Sequence, residues 1–139
     1  MSARMHTREL GLSLRRFLVE DTGSTTVEFV FMVPLFTTFL LMASDASMLF
    51  LRQTTLMNVA RDTARAVSRY AMTAAEGKAY AQSAAANGQA PATATVTIAN
   101  GVVTVLIETD AGSAAPFGIV KFAVGDTITA TAMNTLEPI

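Results

Sequence analysis

The longest apolar run in the chain extends from Phe29 to Leu51, 23 residues in which Asp45 is the only charge. At about 1.5 Å per residue, a helix of that length reaches roughly 34 Å, enough to cross a hydrocarbon core of about 30 Å. The competing reading is the core helix of a soluble domain, but no other segment is apolar enough to bury it. Pro34 lies near the start of the run, where a missing N–H costs least, and is a candidate kink.

Helical spacing continues beyond this run. Leu49, Leu56, Val59, Thr63, Val67 and Tyr70 recur at intervals of three, four and seven, while Arg61, Arg65 and Arg69 fall on another face. The pattern predicts one continuous helix from about Thr25 to Ala71, apolar first and amphipathic after. "TAAE", Thr73 to Glu76, has the form of a capping box and opens a second helix that stops at Asn87-Gly88.

From Thr93 the period changes to alternation. Two β-rich runs flank Asn100-Gly101, a pair that tolerates the positive φ of a type I′ hairpin turn. Ala94, Val96 and Ile98 alternate with threonines. Val103 to Ile107 alternates less cleanly, because Leu106 is also apolar. Asp110 to Gly118 reads as loop, Ile119 to Val124 as strand or loop, and Thr127 to Thr135 as a last strand. The predicted class is α+β: a long helix, a short helix, then a three- to four-stranded antiparallel sheet with one face free to pack on a helix.

Composition strengthens the membrane reading. The 139 residues are room for one modest domain plus an anchor. Half are hydrophobic and 15% are charged, against about 25% in soluble domains. The net charge of −1 offers no global attraction for nucleic acid, and the lack of Cys excludes disulfides and thiolate metal sites. Residues 1–22 carry Arg4, Arg8, Arg15 and Arg16 against Glu9, Glu20 and Asp21. They lack the apolar core of a secretory signal and read either as a surface-lying amphipathic helix or as a flexible cytoplasmic tail. Arginines flank the apolar run on both sides, so the positive-inside count is nearly balanced.

The inventory for catalysis is poor. The one histidine, His6, sits in the leader, and no nucleophile-elbow, zincin or P-loop pattern occurs. Glu108 and Asp110 read as solvated charges at a strand end. Neither an enzyme, a cofactor, a metal site nor a small-molecule substrate is expected. The ladder Arg61–Arg65–Arg69 is either a solvated face or a basic stripe that meets lipid headgroups or a partner's acids. Asp45 lies 17 residues beyond Glu28, about 25 Å along a helix, which suits one acid near each membrane interface. A deeper Asp45 would cost a few kcal/mol unless neutralised or paired. "TTVE", Thr25 to Glu28, fits a second capping box. Capping explains a glutamate at a helix start, but neither its closeness to the apolar run nor Gly23.

A basic leader ending in Gly23, then four residues, Glu28 and an apolar helix, resembles the type III signal of type IV pilin-like proteins. That resemblance implies a peptidase cut after Gly23, leaving Ser24 as the new N-terminus and Glu28 as the fifth residue of the mature chain. A new ammonium and a carboxylate are each costly in lipid, and pairing them between neighbouring subunits would set register. "GSTTVEFVFMVPLF", the acid at Asp45 and "LRQTTLMNVARDTARAVSRY" together resemble the TadE-like family, pseudopilin-like proteins of the Tad (Flp, tight adherence) pilus. Val27-Glu28-Phe29, Pro34, Arg52-Gln53, Asn58 and "ARDTAR" match, and "ITATAMNTLEP" looks like the family's closing strand. "DASMLF" departs from it, since the family often shows Glu followed closely by Gly-Arg there.

The resemblance implies a pilin-like plan: a cytoplasmic leader over 1–23, a transmembrane helix over 24–51 and a periplasmic domain over 52–139. It implies a minor pseudopilin of the inner membrane, acting in pilus biogenesis, adhesion and biofilm formation. Its partners would be a prepilin peptidase, other pseudopilins, the major pilin, the inner-membrane platform and lipid. Gly23 and Ser24 would be processing residues and Glu28 the register residue, with Asp45, Arg61, Arg65 and Arg69 as possible partner contacts. The alternative is a membrane-anchored periplasmic protein that keeps its leader.

Overall fold

A computed structural model describes residues 22–86, 90–120 and 125–138. The described residues divide into two units between Phe39 and Leu40. Helix α1 runs from Thr22 to Ser68, α2 from Ala74 to Ala86, and strands β1 (Ala92–Ala99), β2 (Val102–Asp110) and β3 (Thr127–Thr135) follow. The α+β class, the long first helix, the short second one and the three-stranded sheet all stand as expected.

In the first unit α1 is apolar on every side. All side chains from Thr25 to Phe39 are exposed, among them Phe29, Phe31 and Phe36. Thr37 and Thr38 donate their hydroxyls to the carbonyls of Val33 and Pro34, each at 2.8 Å. Their polar atoms are thus met within the helix, as an apolar solvent demands. Helix α1 is long and apolar enough to cross a membrane.

In the second unit the same helix becomes amphipathic. Asp45, Leu49, Leu56, Ala60, Thr63, Ala64 and Val67 are buried along one stripe, the spacing of a helix face turned to a core. Arg61 and Arg65 lie on the exposed side. Tyr70, the last member of the predicted periodic series, is not in that core. It takes φ 57° just past the helix. Its N–H bonds to Val67 O while Ala71 N–H bonds to Ala66 O, the paired bonds of a Schellman stop.

Helix α2 opens on the predicted capping box. Glu76 Oε2 accepts from the Thr73 amide at 2.8 Å, and the Glu76 amide reaches Thr73 Oγ1 at 3.3 Å. Its buried residues are Gly77, Ala81 and Ala85, small enough for close helix contact. A Cβ on Gly77 would stand 2.7 Å from Val67 Cγ2. The predicted stop at Asn87-Gly88 lies outside the described residues, as do residues 121–124 of the segment left open between strand and loop.

The sheet is an antiparallel meander with β2 in the centre. Asn100 (φ 52°) and Gly101 (φ 73°) form the β1–β2 turn. The register places Ala94 against Ile107 and Ile107 against Ala130, and likewise Val96–Val105–Ala132. That pairing resolves the unclear alternation of β2: Val103, Val105 and Ile107 face the core. Val103, Val105 and Ile107 fill the middle strand, while Ala92, Ala94, Ala130 and Ala132 are buried on the edge strands beside Ile128.

Candidate functional site

Of the residues singled out in the sequence, Gly23 and Ser24 lie in the first turn of α1. Glu28 is exposed, in an apolar surround. The capping box expected at Thr25 to Glu28 does not mark the start of the helix, because α1 begins at Thr22 and Thr25 is already inside it. Glu28 therefore sits in the second turn, past the first amides that a cap would satisfy.

Asp45 is fully buried, and both its oxygens are occupied within the chain. The Phe117 amide donates to Oδ1 at 2.9 Å and the Ile119 amide to Oδ2 at 2.8 Å. Gly118 between them has φ +67°, a conformation most side chains avoid, which turns the N–H groups on either side of it towards one anion while its own donates to Ala115 O at 3.2 Å. A buried carboxylate is tolerated where backbone donors of this kind replace water. The carboxylate thus ties α1 to a loop more than seventy residues away in sequence.

Arg61 and Arg65 are exposed, while Arg69 Nε contacts Glu137 Oε1 at 2.9 Å with both side chains more than half exposed. Such an ion pair contributes about 0–1 kcal/mol. Around it, the Glu137 amide donates to Ser68 O at 3.0 Å and Asn134 Nδ2 to Ser68 Oγ at 2.9 Å. The end of α1 is thereby fastened to the segment that leaves β3.

Two residues named only as matching features prove to hold elements together. Arg52 Nη2 donates to Ala85 O at the end of α2, where a cation also complements the helix dipole. Gln53 Nε2 donates to Thr129 O of β3 at 3.0 Å. Two polar residues directly after an apolar run were the available signal, but their acceptors lie 33 and 76 residues away. Glu108 and Asp110 are both exposed at the end of β2. Asp110 Oδ2 caps a 3₁₀ turn by accepting from the Ser113 amide at 2.9 Å.

A groove of about 350 Å³ opens beside Met48, Leu51, Arg52, Thr55, Ser113 and Ala114. It gathers, among the described residues, no base and no nucleophile–base pair. Among the described residues, no group of three or more His, Asp or Glu converges as metal ligands would. Outside the apolar stretch, the Thr73 amide first, and then the Thr73 hydroxyl, hold the Glu76 carboxyl below the ordinary glutamate range.

These features define a small α+β unit led by an apolar helix that fits a membrane anchor, with its polar contacts spent on joining elements. Residues 23–65 match the family model described as TadE-like protein, which covers the apolar stretch and most of the amphipathic half of α1. The resemblance read from those residues is the same one. No curated protein and no solved structure matches the chain.

Proposed function

We propose that the chain is a minor pseudopilin of a Tad-type pilus assembly machine, made as a precursor and cut after Gly23. The observation that carries this reading is the TadE-like match starting at Gly23, with Glu28 five residues on and an exposed apolar helix behind it. The N-terminus lies in the cytoplasm, α1 crosses the inner membrane, and the sheet-bearing unit is periplasmic. Its partners are the prepilin peptidase, sister pseudopilins, the major pilin and the platform protein, and its output is pilus biogenesis with the adhesion and biofilm that follow.

The burial of Asp45 under the chain's own loop supports moving the membrane boundary. The bilayer segment becomes Thr25 to Ser44, 20 residues or about 30 Å of helix, rather than a span reaching Leu51. Glu28, exposed at its cytoplasmic end, is left to pair with the Ser24 ammonium of a neighbouring subunit.

Mass spectrometry of the membrane-extracted protein tests the reading. A mature chain beginning at Ser24 is expected, and Gly23→Ala should leave the precursor uncut. A chain that keeps its leader in cells making Tad pili would overturn it in favour of an unprocessed anchor. Glu28→Ala should be inserted and cut normally yet lower pilus output.

A further inference from the structure

We infer that Phe117 is a lipid contact: its loop seats the ring in the headgroup–acyl boundary of the bilayer that α1 crosses. In that position it orients the folded unit on the membrane. This rests on the membrane-spanning reading above.

Phe117 is 52% exposed, and its neighbours Pro116 and Gly118 are exposed with it. A lone exposed aromatic is ordinary on a protein surface, so its position decides the matter. The Phe117 amide is bound to Asp45, the residue that directly follows the proposed span. The loop is therefore held at the level where about 30 Å of helix has just been used to cross the hydrocarbon. Within the next two turns, Met48, Phe50 and Leu51 are exposed as well, Phe50 at 74%. Between Leu40 and Leu51 the only charged residue is Asp45, and it is buried. Among the described residues, Leu40 to Leu51 and Pro116 to Gly118 thus present apolar groups and no exposed charge. Aromatic side chains at the headgroup level are what such a boundary favours. Water would meet the same side chains as exposed apolar groups.

The chain contains no tryptophan, so a single introduced indole reports its own surroundings. The full chain carrying Phe117→Trp is reconstituted into phosphatidylcholine–phosphatidylglycerol vesicles with brominated acyl chains. Emission should be blue-shifted and quenched, more by bromines near the headgroup than by bromines near the chain ends. Pro116→Trp gives a second reading from the same loop. Val30→Trp, within the span, should be quenched most by the deep bromines, and Ile98→Trp, exposed on β1, should not be quenched. Quenching at Val30→Trp with none at Phe117→Trp or Pro116→Trp overturns the lipid contact and leaves the anchor standing. No quenching at Val30→Trp removes both. A blue shift at Phe117→Trp without quenching means that a second copy or another protein covers the ring, and also overturns the inference.

Discussion

Helix α1 is one element in two environments, and the change falls at Asp45. From Thr25 to Phe39 no side chain is buried. From Asp45 to Val67 one stripe of the same helix is buried almost completely. The first stretch carries one charge, Glu28, and the second five, Asp45, Arg52, Arg61, Asp62 and Arg65, so they differ in hydrophobicity as well as in its arrangement. The arrangement differs in periodicity: the first is apolar all round, as suits lipid or partner helices, and the second has a polar back. Hydroxyls bond back to their own helix in both stretches, at Thr37 and Thr38 as at Thr54, Thr55 and Thr63. Beyond Asp45, Arg52 and Gln53 in addition reach out to other elements. A side chain should therefore matter to the folded unit according to its side of Asp45.

The strongest contrast compares two large residues. Leu56 is fully buried and Phe36 is 65% exposed. Leu56→Ala should destabilise the folded unit by about 2–5 kcal/mol through lost burial and a cavity. Phe36→Ala should change it by less than about 0.5 kcal/mol, as a surface position does. Denaturant unfolding in a mild detergent, followed by circular dichroism of the sheet, measures both; equal losses would abolish the division. Next comes the boundary itself. Asp45→Ala strips two amides of a charged acceptor, at about 1.5–3 kcal/mol for each such bond. The loop can recover part of that from water, so a net loss of about 2–4 kcal/mol is expected. Hydrogen exchange should speed up at the amides of Phe117 and Ile119 before it does so in the strands.

A smaller effect probes how tightly the amphipathic half is packed. Gly77→Ala puts a methyl group against Val67, a residue with essentially one rotamer in a helix. Overpacking costs about 1–3 kcal/mol, while replacing a helical glycine by alanine returns about 1 kcal/mol. A net loss of up to about 2 kcal/mol is expected. In a Val67→Ala background the 2.7 Å contact is gone and Thr63 Cγ2 at 3.3 Å remains, so Gly77→Ala should cost clearly less there. If its cost is the same in both backgrounds of that double-mutant cycle, Val67 and Gly77 are not in close contact.

How much of this was legible in the sequence depended on range. The capping box at Thr73–Glu76, the Asn100-Gly101 turn and the limits of β3 were local patterns and could be read directly. The outward face of the arginine ladder followed from period alone. Thr25 to Glu28 shows the limit of a local match, since the same four-residue form occurs inside a helix that starts at Thr22. Tyr70 shows another: it kept the spacing of the series, yet the backbone had already turned to φ 57°. What could not be read was every contact made by Asp45, Arg52 and Gln53. Each depends on which distant backbone group the fold delivers, and one chain carries no record of that pairing. The inward set of β2 was likewise decided by register against Ala94 and Ala130.

The smallest expected effect lies farthest from the apolar stretch, at the start of α2. Glu76 is held below its ordinary range by the Thr73 amide and hydroxyl. A carboxyl with a folded-state pKa below its unfolded value stabilises the fold above the unfolded value. That contribution fades as pH falls through the folded value. Acidification below the usual glutamate range should therefore weaken α2 first. Glu76→Gln keeps a side chain that can accept the Thr73 bond but cannot titrate, so its stability should be flatter over that acid range. Thr73→Ala, which removes the cap at any pH, should cost about 1 kcal/mol at neutrality. Thermal melts of the three proteins across the acid range separate the cases. The same acid slope in Glu76→Gln would assign the pH dependence to other carboxylates and leave the capping box a geometric feature only.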